Sequence, residues 1–306
     1  MSVLCIGQSG YDIIFSIPGR LPENIKLRIH DKLELPGGPA TCAAALTGKW
    51  GLPTYLASRV GDDIFADAIL EKLRQFQVNT DYVQKIPGAN SSMSLVIRHC
   101  DNANRTAINY PGTLIDMELP LPDHYDVILT DGHELNTALD AMRRAPHVPS
   151  VLDAGSVRDS TLLLAKKVTY LVCSEVFAGS YCGEAIRLDD PDKLRTQMAS
   201  LRAMAPFVAV TLGEQGLVYE EGGHVYHMPA YPVESVDTLG AGDIFHGSFA
   251  YGIHEKMSFP DALKLASATA ALSVTKVGGM SSIPDFAQVQ DFMGKNCEKI
   301  RILFLI

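Results

Sequence analysis

Short apolar runs recur along the chain, each bounded by polar or turn residues. Val3-Leu4-Cys5-Ile6 is the first, and Val127-Ile128-Leu129, Ser150-Val151-Leu152, Leu171-Val172-Cys173 and Phe207-Val208-Ala209-Val210 follow at intervals. Their apolar character is continuous rather than alternating, as a strand buried on both faces requires, and most lead into a helical pattern. Strands alternating with helices predict a mostly parallel central sheet flanked by helices, an α/β fold. Ala40-Thr41-Cys42-Ala43-Ala44-Ala45-Leu46 reads as a small-residue helix entered from the Gly37-Gly38 turn.

Two stretches, about 13–35 and 92–110, break this rhythm. Ser94-Leu95-Val96-Ile97-Arg98 and Thr106-Ala107-Ile108-Asn109-Tyr110 alternate, with Asp101-Asn102-Ala103-Asn104 between them as a hairpin turn. Period-two alternation implies a sheet with one wet face. The expectation is a small β-sheet lid on one domain spanning residues 1–306. The tail Ile300-Arg301-Ile302-Leu303-Phe304-Leu305-Ile306 is apolar for a chain end and fits an edge strand or a partner contact.

Composition narrows the class. With 306 residues, 47% of them hydrophobic, the chain can bury a large core. A formal net charge of −9 opposes binding to a phosphate backbone, so no nucleic-acid partner is expected. The six cysteines include no pair at CxxC spacing, and they read as reduced thiols rather than disulfides or a zinc site. No basic, apolar leader opens the chain, and no apolar run reaches membrane-spanning length. The expected location is the cytoplasm.

The candidate chemistry is concentrated in Asp237-Thr238-Leu239-Gly240-Ala241-Gly242-Asp243, which precedes a helical segment. Free amides at a helix start favour negative charge, and glycines admit a ligand close to the backbone; together they form a phosphate seat. An aspartate in the first turn can take the proton of a hydroxyl poised beside that phosphate. By itself the run also fits an ordinary tight turn with a dipole-favoured carboxylate.

Asp237-Thr238-x-Gly240-Ala241-Gly242-Asp243, with Phe245 and Gly247, resembles the C-terminal signature of the ribokinase/PfkB family of carbohydrate kinases. Gly37-Gly38-Pro39-Ala40-Thr41 and Arg59-Val60-Gly61-Asp62-Asp63 resemble the N-terminal signature of that family, in the correct order. The resemblance covers nearly the whole chain and implies a ribokinase-like fold. It implies Asp243 as base, with the amides of Gly240, Ala241, Gly242 and Asp243 stabilising the transferring phosphoryl group. It also implies Asp12, Gly37 and Gly38 at the sugar, and Thr211, Gly213, Gly216 and Gly279 around ATP.

Asp237 and Ser282 match a site for a monovalent cation such as K+. The Asn-x-x-Glu element that supports Mg2+ and phosphate in relatives is altered: Ser174 replaces the asparagine and Phe177 the glutamate, leaving Glu175 as the nearby carboxylate. Cys42 stands where many relatives carry an asparagine.

Local similarity extends to bacterial 6-deoxy-6-sulfofructose kinases through Leu21-Pro22, Asn90-Ser91-Ser92, Ile108-Asn109-Tyr110-Pro111 and Asp243-Ile244-Phe245-His246-Gly247. Lys26 and Asn109 match two of their sulfonate contacts, and His133 stands at the position of the arginine. With Arg28, these residues would clasp an anionic ketose. The expected activity is transfer of the ATP γ-phosphate to a primary hydroxyl of a furanose-like sugar, by a homodimer joined through the lid. A ribokinase-like or nucleoside kinase and a non-catalytic sugar or nucleotide sensor are the alternatives.

Overall fold

The protein is described from a computed structural model covering residues 2–99, 105–113, 117–296 and 300–305. The chain opens with β1 (Val3–Ile6), β2 (Gly10–Ile17), β3 (Lys32–Gly37), α1 (Pro39–Lys49), β4 (Thr54–Val60) and α2 (Ile64–Gln75). There follow β5 (Val78–Asn79), β6 (Val83–Lys85), β7 (Ser92–His99), β8 (Arg105–Tyr110), β9 (Val127–Thr130) and α3 (Leu135–Arg144). The next elements are β10 (Ser150–Ala154), α4 (Asp159–Ala165), β11 (Tyr170–Ser174), α5 (Glu175–Cys182), α6 (Pro191–Arg202) and β12 (Phe207–Thr211). The chain ends with β13 (Leu217–Glu221), β14 (His224–Met228), α7 (Ala241–His254), α8 (Phe259–Ser273), α9 (Phe286–Lys295) and β15 (Leu303–Phe304).

The large sheet has the order β15-β14-β13-β12-β11-β10-β9-β1-β4-β5, with β6 also on β4. From β12 to β5 every pairing is parallel; β13, β14 and β15 add an antiparallel edge. The continuous apolar runs occupy the parallel part, where β1 and β9 are buried throughout. Two hydrophobic layers cover its faces, one holding α1, α7 and α8 and the other α3, α5 and α6. The apolar tail becomes the edge strand β15, with Phe304 opposite Tyr226.

The second sheet has the order β3-β2-β7-β8 and is built from the two alternating stretches. The expected hairpin turn at 101–104 lies outside the described residues. Registers align Asn109, Ser94, Asp12 and Leu35 in one row across the four strands. Residues facing each other across a ladder share a face, so this row and the next, Ala107, Val96, Ile14 and Leu33, lie on the same side. Ile14, Leu35 and Val96 are buried there against Leu33 and Leu239, which places that side over the loop before α7.

Asp63 anchors the base of this sheet. Its carboxylate caps α2 by accepting from the Ala66 amide (2.9 Å) and also receives the amide and hydroxyl of Ser91 (2.7 and 2.8 Å), just before β7.

Helix α7 reaches the site by lying against α1. A Cβ on Gly247 would stand 2.8 Å from Ala43 Cα and 2.9 Å from Ala43 O. Gly247→Ala should therefore lower unfolding stability by roughly 1–3 kcal/mol, read as a lower urea midpoint with an unchanged slope.

Candidate active site

Parallel strands end on one side of the sheet, and here the ends of β9 and β10 carry carboxylates into a shared space. Asp131 follows β9 and Asp153 lies near the end of β10; both are buried. Asp12 comes from β2 of the small sheet and Asp243 from the first turn of α7. Electrostatic coupling links Asp243 to Asp153, Asp12 and Asp131.

Each carboxylate has its own partners. Asp131 accepts from the amides of Gln8 (2.9 Å), Ala40 (3.2 Å) and His133 (2.9 Å), and His133 Nδ1 lies 3.1 Å away. Burial alone would push Asp131 up, but the bonds from His133 and Gln8 and the His133 charge bring it below the usual carboxylate range. Asp12 is raised by burial, with a hydrogen bond from Ser94 opposing the shift. Asp153 is raised by burial, while His246 Nδ1, 3.2 Å from its Oδ2, opposes this.

Asp243 is pushed up to about 7, first by burial and then by the charge of Asp153, with His246 acting the other way. The Cys42 thiol from α1 donates to Asp243, and burial followed by that carboxylate drives the thiol well above its ordinary value. A neutral thiol beside the carboxyl is therefore the stable arrangement.

Gly37 meets Asp12 at close range: a Cβ there would overlap the Asp12 carboxylate. Gly38 caps α1 with Pro39 following it. Gly240 caps α7 with φ of 74°, and the turn it opens is accessible, with Gly242 exposed and Ala241 and Asp243 half-buried. The Ala241 amide donates back to Thr238 O (3.3 Å), so that amide is engaged within its own loop.

Asp237 is buried; its Oδ1 accepts from the Leu239 amide and its Oδ2 from the Gly278 amide, both at 3.0 Å. This joins the loop before α7 to the turn at Gly279–Ser282, where Ser282 Oγ donates to Gly279 O (2.8 Å). An anionic carboxylate beside turn carbonyls and a hydroxyl is a hard-oxygen set that fits a monovalent cation.

The remaining expected positions fall on the same end of the sheet or on the small sheet. Thr211 ends β12, and Gly213 and Gly216 form the turn into β13. Ser174 caps α5, accepting from the Phe177 amide (3.1 Å) and donating to Gly155 O (2.8 Å). Phe177 is fully buried, and Glu175 is exposed in the first turn of α5. Asn109 is exposed on β8 in the row with Asp12, whereas Lys26 and Arg28 are exposed on the connection between β2 and β3.

The family described as pfkB family carbohydrate kinase matches residues 1–285. This chain belongs to the pfkB family of carbohydrate kinases. It is 28% identical to a deoxyribokinase of Salmonella typhi over 313 aligned residues, covering 97% of this chain and 100% of the relative. Against a ribokinase of Bacillus subtilis the identity is 26%, covering 85% of this chain and 88% of the relative. A structure of Arabidopsis thaliana ribokinase complexed with ribose and ATP superposes with a TM-score of 0.81 at 23% identity, covering 95% of this chain and 98% of that one. The protein is a carbohydrate kinase of this family with a ribokinase-like fold, and the sequence reading of family, fold and enzyme class holds.

Several residues of the candidate site were missed in the sequence. Asp131 and Asp153 carry a readable signal, a carboxylate closing an otherwise apolar strand. Arg105 had none: from exposed β8 it donates through Nη1 to Thr238 Oγ1 (2.6 Å), tying the small sheet to the loop before α7.

The raised Asp243 also bears on stability. Its folded value lies above its ordinary 3.8, so its stabilising contribution is complete below pH 4 and is lost as pH rises through about 7. Asp243→Asn should therefore be more stable than the native chain at pH 8, by roughly 1–3 kcal/mol, with the difference vanishing near pH 4 in matched thermal melts.

Proposed function

We propose that the kinase transfers the γ-phosphate of ATP to a primary hydroxyl of a furanose-like sugar, with Asp243 as the base. The observation that carries this reading is the position of Asp243, in an open helix turn rich in small residues and held near the pH at which it can exchange a proton. A sugar between Asp12 and Asp243 would offer hydroxyls to Asp12 and its reacting hydroxyl to Asp243. The first-turn amides of α7 would face the transferring phosphoryl group. The relatives named deoxyribokinase and ribokinase support a pentose-like ring.

Thr211, Gly213, Gly216 and Gly279 would line the nucleotide as it extends from that turn, with Ser174, which pairs in register with Thr211, beside it. Magnesium would supply charge neutralisation on the ATP oxygens when bound, and Glu175, exposed in the first turn of α5, would support it. Asp237 and Ser282, with the neighbouring turn carbonyls, would hold a monovalent cation such as K+ behind the anion seat.

The small sheet would act as a lid, since its buried side already rests on Leu239 and Arg105 already touches Thr238. Its other side exposes Ile108 directly opposite Leu95, an apolar surface suited to a second copy in a cytoplasmic homodimer. An anionic ketose such as 6-deoxy-6-sulfofructose is the finer substrate reading, supported by Asn109 in the Asp12 row, while His133, at the position of the arginine in the kinases it resembles, is engaged by Asp131 and weakens it. Lys26 and Arg28 would join only if their connection folds inward.

ADP release measured across a panel of ribose, deoxyribose, fructose, a sulfonated or phosphorylated ketose and nucleosides tests the reading. Asp243→Asn should reduce kcat at least ~10³-fold while nucleotide binding persists. No turnover with any member, or an undiminished variant, would overturn it. With a substrate in hand, kcat/KM should fall about tenfold per pH unit below about 7, because only ionised Asp243 accepts the proton. Gly37→Ala should raise the sugar KM by about tenfold or more by displacing Asp12, with the KM for ATP little changed.

A further inference from the structure

His246 lies one turn beyond Asp243 on α7 and is buried. Its two ring nitrogens both face oxygen acceptors. Nδ1 is 2.7 Å from Gly242 O and 3.2 Å from Asp153 Oδ2, while Nε2 is 3.0 Å from Val172 O on β11. A neutral imidazole has one N–H, so either tautomer would turn a lone pair against an oxygen in a place closed to water. Only the imidazolium donates from both nitrogens, and the adjacent Asp153 carboxylate supplies its counter-charge.

We propose that His246 is a positioning residue of this kinase, held as an imidazolium between two backbone carbonyls and paired with Asp153, so that Asp243 can ionise among three other carboxylates. Asp153 would otherwise present an uncompensated negative charge toward Asp243. With the pair in place, Asp153 and His246 together are neutral, and the repulsion on Asp243 falls to that of Asp12 and Asp131.

The groups facing these residues come from every side. Asp243 meets Asp153 from β10, Asp12 from β2, Asp131 after β9, Cys42 from α1 and His246 from its own helix. Asp153 meets His246 together with Asp131, His133 and Arg158. Arg158 is engaged elsewhere, donating through Nη2 to Asp131 O (2.6 Å). His133 is engaged by Asp131. Among the described residues His246 is the cationic partner within ion-pair distance of Asp153, at 3.2 Å.

The catalytic meaning of this pair rests on Asp243 as the base, whereas the charge state stands apart from it. The test therefore needs no substrate. Two-dimensional ¹⁵N NMR of histidine-labelled protein at pH 7.5 should show His246 protonated on both nitrogens, and Asp153→Asn should bring its deprotonation to lower pH than in the native chain. The carboxyl ¹³C resonance of Asp243 should titrate about one pH unit higher in His246→Asn than in the native protein. A single protonated nitrogen on native His246 at pH 7.5 overturns the proposal, as does an Asp243 midpoint unchanged in a folded His246→Asn. If that variant does not fold, the native and Asp153→Asn titrations decide the matter. A chain that phosphorylates no sugar in the panel would leave these results standing and defeat only the functional reading.

Discussion

Four carboxylates, from Asp12, Asp131, Asp153 and Asp243, meet at the carboxyl ends of the strands, where little water can screen them. Their mutual repulsion is the constraint to which the surrounding structure answers, because like charges in a poorly solvated space raise one another until some take up protons. Each has a dedicated compensation. Asp131 draws on amides and His133, Asp12 on Ser94, Asp153 on His246, and Asp243 on the Cys42 thiol. Asp131 has the most donors and is brought down, whereas Asp243 is pushed up to about 7, first by burial and then by the charge of Asp153.

Packing makes this gathering possible. The small-residue surface of α1 accepts α7 at close range through Ala43 and Gly247, and the same contact sets Cys42 against Asp243. The Ala40 amide at the start of α1 binds Asp131, so one helix serves both a strand-end carboxylate and the helix that carries Asp243. The small sheet contributes Asp12 from a face that also carries Ser94 and Asn109 and whose apolar part is seated on Leu239. Its hold on the body combines that apolar contact with the exposed bond from Arg105 to Thr238 and the bonds from Ser91 to Asp63 at its base.

The altered Asn-x-x-Glu element has a structural account. Ser174 is a sound helix cap, and Phe177 is a fully buried residue of the apolar layer that also holds Ala178 and Leu194. The segment has kept its helix and its packing, while its only carboxylate, Glu175, has moved to the exposed side of the first turn.

The sequence by itself determined the elements and the class of chemistry. Continuous apolar runs can be buried only on both faces, alternating ones on only one, and the two signature motifs place glycines and Asp243 where backbone geometry needs them. Tertiary structure alone decided which charges share a space. Nothing local in Leu152-Asp153 or Phe245-His246 reveals that these residues pair, because Asp153 and His246 meet through parallel strand order and the docking of α7. The same limit applies to Asn109, whose row with Asp12 depends on ladder register, and to Lys26 and Arg28, whose exposure depends on the path between β2 and β3. Secondary structure follows from short-range periodicity, whereas a proton's affinity for Asp243 follows from Coulomb interactions among residues that only the folded chain brings together.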